Sequence, residues 1–249
     1  MEKGNNKRIL IMGAMDCETD LLFEATGAAE RKRVGGFEYA EGAYCGGTLI
    51  AAKSLMGMSN SAACAMAGIL GFSPDAFIVQ GTAGAHAEGL HRGDIVLAER
   101  FVNIGRYRSA HAAEGGGVHT DRWDPLNSEL FMDGRVVKTL ELRSDRFMLE
   151  TAASAPYDGG RLVRGVHGSG DVWNNEADRI IQLRNIYGSD CEEMEGFAAA
   201  QICAAFGVPF LGIRIISNSA LHEGEVFDEA YAAGCQRFVL EAARRILAL

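Results

Sequence analysis

The strongest constraint on the fold is a repeated pattern of short, unbroken apolar runs that each end in glycine or polar residues, with helix-like stretches between them. Residues 8–12, 75–80, 94–98, 162–167 and 208–217 are such runs. They are apolar throughout rather than alternating, which reads as interior strands of a sheet covered on both faces. Residues 37–44 and 48–54 read as two strands joined by a hairpin turn at Cys45-Gly46-Gly47. Helical spacing recurs over residues 18–28 (Leu21, Leu22, Ala25), 60–70, 145–153, 176–187, 193–206 and 227–247. The alternation of strand and helix, with no linker, repeat or low-complexity tract, predicts one α/β domain spanning residues 1–249 with a mostly parallel or mixed sheet. Residues 103–135, with Gly115-Gly116-Gly117 and weak periodicity, read as a long irregular segment of the functional or mobile kind.

Composition removes several function classes. A chain of 249 residues, 48% hydrophobic and 23% charged, can bury a large core and is not disordered. A net charge of -9 without any Lys/Arg cluster argues against binding a nucleic-acid polymer, yet leaves a free nucleoside open. No apolar run approaches membrane-span length. The polar start, Met1-Glu2-Lys3-Gly4, lacks the apolar stretch of a signal peptide. The six cysteines form no CxxC pair, and neither they nor the six histidines show metal-ligand spacing. The expectation is a cytoplasmic protein with reduced thiols and no metal.

In a sheet of this kind, ligands collect beyond the carboxyl ends of the strands. Polar and glycine-rich clusters follow the strand-like runs at 13–18, 57–60, 81–84, 169–174, 193–195 and 214–218. The most informative is Cys191-Glu192-Glu193-Met194-Glu195-Gly196. Glu193 and Glu195 alternate on an extended approach to an apolar helix over 197–206, so their side chains point the same way. Ionised carboxylates accept hydrogen bonds and donate none, which suits the vicinal diol of a ribose. The same acids also read as a solvated helix N-terminus favoured by the helix dipole. Taken alone, the segment leaves both readings open.

Taken in order, the clusters resemble the nucleoside phosphorylase superfamily, and within it the nucleosidases that cleave 5′-methylthioadenosine and S-adenosylhomocysteine. The matching segments are Ile11-Met12-Gly13-Ala14-Met15-Asp16-Cys17-Glu18, Met56-Gly57-Met58-Ser59, Gln80-Gly81-Thr82-Ala83-Gly84, Gly93-Asp94-Ile95-Val96, Ser169-Gly170-Asp171-Val172-Trp173, Glu193-Met194-Glu195, and Val208-Pro209-Phe210 through Arg214-Ile215-Ile216-Ser217. The resemblance covers nearly the whole chain outside 103–135. It implies a three-layer α/β/α fold around a twisted, mixed, barrel-like sheet, assembled as a homodimer. It also implies a small-molecule purine nucleoside as substrate, with no organic cofactor and no metal.

The resemblance implies roles position by position. Glu18 matches the carboxylate that activates water; a first-turn glutamate stabilised by the helix dipole is the plainer reading. Glu195 matches the carboxylate on the ribose hydroxyls, with Met194 along the sugar and Glu193 as a supporting acid. Thr82 matches a hydroxyl near sugar or water, and Arg214 an arginine close to that water. Trp173 matches the aromatic ring against the purine, with Asn174 reading the base edge through its backbone. Ala83, Gly84 and Ser217 belong to the same binding set. Met15, Met58 and Phe227 match an apolar 5′ pocket, though methionines also fill ordinary cores.

Two departures bear on the reaction. Phosphorylases of the superfamily carry arginines in the first glycine loop and before the second; here those positions hold Asp16 and Val79. A phosphate dianion without such partners is poorly held, so water is the expected nucleophile. The family's general acid after Arg-x-Ile-Ser is an aspartate, whereas this chain has Asn218. An amide donates a hydrogen bond but cannot give up a proton. Three explanations stay open: a preference for 6-oxopurine nucleosides with hydrolysis or phosphorolysis, a catalytically weak nucleoside-binding homologue, or an engineered substrate trap.

Overall fold

The computed structural model describes residues 6–132 and 134–248. In chain order the elements are β1 (Arg8–Gly13), α1 (Asp16–Thr26), β2 (Lys32–Val34), β3 (Phe37–Tyr44), β4 (Gly47–Lys53), α2 (Met58–Phe72), β5 (Ala76–Ala85), β6 (Ile95–Asn103), β7 (Tyr107–Ser109), β8 (Trp123–Pro125), β9 (Ser128–Met132), β10 (Arg135–Thr139), β11 (Glu141–Arg143), α3 (Arg146–Ala153), β12 (Leu162–Ser169), α4 (Ala177–Tyr187), β13 (Cys191–Glu193), α5 (Gly196–Phe206), β14 (Phe210–Asn218) and α6 (Ala232–Leu247).

The central sheet runs β11-β6-β12-β13-β5-β1-β4-β3-β2, and β14 pairs with both β5 and β6. That double pairing closes β5, β13, β12, β6 and β14 into a five-stranded ring, while β1, β4, β3 and β2 extend from β5 as an open wing. The sheet is mixed: β14 lies parallel to β5 and antiparallel to β6, and β13 is antiparallel to β5. The expected fold class is therefore present, including the barrel-like closure.

Period-two alternation along the buried strands builds the layers. Ile9 and Ile11 of β1 join a core with Leu22 of α1, Ala152 of α3 and Val239 of α6. Leu10 and Met12 point the other way, into a core with Cys64 and Ile69 of α2 and Phe197 and Cys203 of α5. A strand apolar on both faces thus divides two helix layers. None of the helices is long and apolar enough to cross a membrane among the described residues. All six cysteines are free.

Four segments differ from their sequence reading. Residues 81–84 do not follow the strand as a separate cluster: β5 continues to Ala85, because β14 pairs with it through Gly84 and β13 pairs at Gly84 and Ala85. Glycine is required at 81 by close approach, since a methyl group there would lie 2.5 Å from Arg214 Nη1 and 2.6 Å from Glu18 Oε1. Helix α5 starts at Gly196 rather than 193, because Cys191–Glu193 is a strand paired with β12 and β5. The segment 103–135 holds the short pair β7–β8 and the hairpin strand β9. Residues 227–231 precede the last helix as a loop and a short 3-10 turn.

Candidate active site

The carboxyl ends of β1, β5, β13 and β14 converge on a cavity of about 290 Å³. It is lined by Ala14, Met15, Glu18, Met56, Thr82, Ala83, Gly84, Val172, Trp173, Glu192, Glu193, Met194, Glu195, Arg214, Ser217, Asn218 and Phe227. Of the fifteen residues singled out in the sequence, thirteen are in this lining; Met58 and Asn174 are not.

Glu18 sits in the first turn of α1, and its buried carboxylate meets four donors. Oε2 accepts from the backbone N–H of Ala14 (3.0 Å) and Met15 (3.2 Å), a capping arrangement for the helix. Oε1 accepts from Thr82 N–H (2.7 Å) and the Thr82 hydroxyl (2.9 Å). The helix-capping reading therefore holds, and the same carboxylate lines the cavity. The Thr82 hydroxyl is the one rotatable donor of the four, so a water can replace it on Oε1.

Arg214 enters from the middle of β14 and is buried. Its Nη2 donates to Glu193 Oε2 at 2.5 Å and Glu195 Oε2 at 3.0 Å, and its Nη1 to the Thr82 carbonyl at 3.3 Å. Nη1 and Glu18 Oε1 both stand over Gly81, which places the guanidinium beside the Glu18 carboxylate.

The two acids of the Glu-Met-Glu segment have different duties. Glu193 Oε2 also accepts from the N–H groups of Glu195 (2.9 Å) and Gly196 (2.6 Å), and Oε1 accepts from the Ser169 hydroxyl. It caps α5 and anchors Arg214 through Oε2, whereas Oε1 has the Ser169 hydroxyl as its one partner among the described residues. Among the described residues, Glu195 Oε1 accepts only from Gly57 N–H, at 2.9 Å, and Oε2 only from Arg214. Each of its oxygens keeps a free lone pair, which is what a vicinal diol requires. Burial alone would raise Glu193, but Arg214, with His167 and Ser169, holds its carboxyl below the ordinary range. Burial pushes Glu195 up to about 7; Arg214 opposes the rise, and Glu193 and Glu18 add to it.

Trp173 and Phe227 meet edge to face at 5.5 Å across the mouth, 57% and 37% exposed. At this exposure Trp173 is not a core residue. Met58 is turned away because its N–H is tied to Asp171 Oδ1 (2.7 Å), which leaves Met56 at the cavity and puts Met58 in an adjoining one. Asn174 is also outside. Its N–H donates to Glu192 Oε1 at 2.7 Å and its amide to Oε2 at 2.6 Å, so its backbone donor is already engaged.

Sequence reasoning assigned no role to Glu192 or His86, although Glu192 stood in the acidic segment. His86 Nε2 lies 3.0 Å from Glu192 Oε2, and its Nδ1 lies 2.8 Å from Ser189 Oγ. All three side chains are buried.

A closed mixed barrel with carboxylates and one arginine at its strand ends defines a ligand site of the nucleoside-cleaving class. The chain belongs to the phosphorylase superfamily, whose family model matches residues 8–249. It is 30% identical over 224 residues to the 5′-methylthioadenosine/S-adenosylhomocysteine nucleosidase of Geobacillus kaustophilus, covering 89% of this chain and 88% of that one. The enzyme of the same name from Haemophilus influenzae is 31% identical over 216 residues, 85% of this chain and 86% of its own. Among solved structures, the Neisseria meningitidis nucleosidase of that name, in complex with methylthio-immucillin-A, has a TM-score of 0.77 at 25% identity, covering 96% of this chain and 99% of its own.

Proposed function

We propose that this protein is a purine nucleosidase of the methylthioadenosine/S-adenosylhomocysteine nucleosidase type, which hydrolyses the N-glycosidic bond to free base and a ribose derivative. The observation that carries hydrolysis is the charge lining the cavity: four carboxylates, Glu18, Glu192, Glu193 and Glu195, against Arg214 as the single cation among the described residues. Arg214 is already shared between Glu193 and Glu195. An incoming phosphate dianion meets repulsion and no free cation, whereas a water meets an acceptor on Glu18.

In this reading, Glu195 holds the ribose 2′ and 3′ hydroxyls with its two free lone pairs, and Met194 lies along the sugar. Trp173 stacks on the base; such stacking contributes about 1–3 kcal/mol. Met15, Met56 and Phe227 face the 5′ substituent. As the C1′–N bond breaks, positive charge on the sugar is stabilised by the surrounding carboxylates. The base leaves with the bonding electron pair and takes its proton from solvent, while a water on Glu18 Oε1 attacks C1′ and passes its proton to that carboxylate.

A second reading is favoured by Asn218: the same reaction on a 6-oxopurine nucleoside. The protein is also proposed to be a cytoplasmic homodimer built from one domain. Exposed Met56, Met66 and Leu70, on and just before α2, support a self-association surface near the cavity.

Glu18→Gln tests the reading. Turnover is expected to fall by about 10²–10⁴-fold while nucleoside binding, measured by calorimetry, stays within a few-fold. Full activity in the variant would remove Glu18 as the base.

A further inference from the structure

Two buried glutamines stand behind Glu18, outside the cavity lining. Gln80 lies in β5 and Gln236 in α6, 0% and 1% exposed. Gln236 is the one amide on a buried face of α6 otherwise built of aliphatic, phenylalanine and cysteine side chains. A buried amide requires polar partners, and those of Gln236 are in α1.

Both amides are spent on the start of α1. Gln236 Nε2 donates to the Cys17 carbonyl at 2.7 Å, and its Oε1 accepts from the N–H groups of Leu21 (2.9 Å) and Leu22 (3.3 Å). Cys17 and Leu21 are four residues apart, the spacing that an ordinary helix closes with its own hydrogen bond. One side chain thus reaches both ends of a helical rung. Gln80 Nε2 donates to the Glu18 carbonyl at 2.6 Å, the acceptor of the next rung, whose donor end is Leu22. The backbone that carries the Glu18 side chain is therefore held from the sheet on one side and from α6 on the other.

This arrangement has a cost. Gln80 Oε1 has no partner among the described residues, and a buried oxygen left unpaired lowers stability. Room for the amide is kept by Gly13, where a methyl group would lie 2.6 Å from Gln80 Nε2 and 3.1 Å from the Glu18 carbonyl oxygen. Rules of good packing are broken in this way where function requires it. The Glu18 carboxylate caps its own helix through Ala14 and Met15 and is otherwise tethered by Thr82. When a water takes the place of the Thr82 hydroxyl, one tether is lost, and a helix end held from behind keeps the carboxylate in place.

We propose that Gln80 and Gln236 are positioning residues for the Glu18 carboxylate, fixing the first turn of α1 so that a water on Oε1 keeps its line to the sugar. This rests on the reading of Glu18 as the base. The glutamines act through Glu18 and not on the ligand, so their loss slows turnover and spares binding.

The test places Gln80→Met and Gln236→Met in wild type and in Glu18→Gln, with the faster-cleaved of 5′-methylthioadenosine and 5′-methylthioinosine as substrate. In wild type each is expected to lower kcat about 10–100-fold with KM within about threefold, since a displacement of about 1 Å costs up to about 100-fold. In Glu18→Gln the same substitutions are expected to lower the residual rate less than about twofold, because the group they position is gone. Equal losses in both backgrounds, or an unchanged kcat in a folded variant, overturn the inference and leave the nucleosidase reading intact. Gln80→Met removes the unpaired Oε1 along with the bond to Glu18, so it is expected to fold with a Tm near wild type and decides the matter if Gln236→Met does not fold. If wild type releases no base, the nucleosidase reading fails, and amide hydrogen exchange then decides the inference. Exchange at Thr82 N–H, the donor to Glu18 Oε1, is expected to quicken at least about tenfold in the variants relative to Phe77 N–H, which donates to the Pro209 carbonyl from the same strand. Equal changes at the two amides overturn it.

Discussion

Glu195 is the titratable group in the cavity whose charge changes near neutral pH. Burial pushes its carboxyl up to about 7 against the pull of Arg214. A carboxyl raised in the folded state binds its proton more tightly there than in the unfolded chain. Its contribution to stability is full below the unfolded value near 4.5 and is lost as pH rises through 7. Diol binding has the opposite sense, because only the ionised form accepts from both hydroxyls. KM for a nucleoside is therefore expected to fall between about pH 6 and 8 while Tm declines over the same range, and Glu195→Gln should flatten both profiles. A KM independent of pH in wild type would place the diol elsewhere. Asn218→Asp gives a second residue-scale check. A buried, protonated aspartate can protonate N7, so adenine release from methylthioadenosine is expected to rise about tenfold or more. An unchanged rate would mean that residue 218 does not face N7. Glu18, Glu195 and Arg214 are legible in the sequence because each sits in a recognisable local motif. Glu192 and His86 are not, because their contact spans 106 residues and depends on the β13–β5 register.

At the scale of elements, β5 and β14 position most of the chemistry, and Gly81 is where their packing is tightest. Gly81→Ala sets a methyl against Arg214 and Glu18, both fixed by ion pairs or hydrogen bonds. The expected loss is about 1–3 kcal/mol, a Tm drop of roughly 2–10 °C, with activity reduced as well. Gly71→Ala, in the last turn of α2, meets only Val34 Cγ1 at 3.8 Å and is expected to be neutral or stabilising by up to about 1 kcal/mol. Differential scanning fluorimetry on both variants checks the contrast. The interior strands and amphipathic helices are legible from periodicity alone. The run 81–84 reads as a cluster beyond its strand because glycine usually marks a strand's end, and the sequence does not reveal that Arg214 and Glu18 crowd that backbone. The strand Cys191–Glu193 is too short to register as a period.

At the scale of the molecule, the α/β class is written in the alternation of elements, but closure of the ring is not, since it depends on β14 pairing on both sides. Light scattering at micromolar concentration is expected to report a dimer, with an interface burying at least about 1,000 Å². A monomer would leave the exposed apolar side chains along α2 without a partner. The reaction itself is most directly tested by the origin of the new oxygen on the sugar. Nucleoside is turned over in heavy-oxygen water with millimolar phosphate present, and the sugar product is weighed by mass spectrometry. The expected product is free ribose derivative labelled at C1′, formed at a rate that phosphate does not raise. An unlabelled sugar 1-phosphate, appearing only when phosphate is added, would contradict hydrolysis and with it the assignment of Glu18 as the water-activating base.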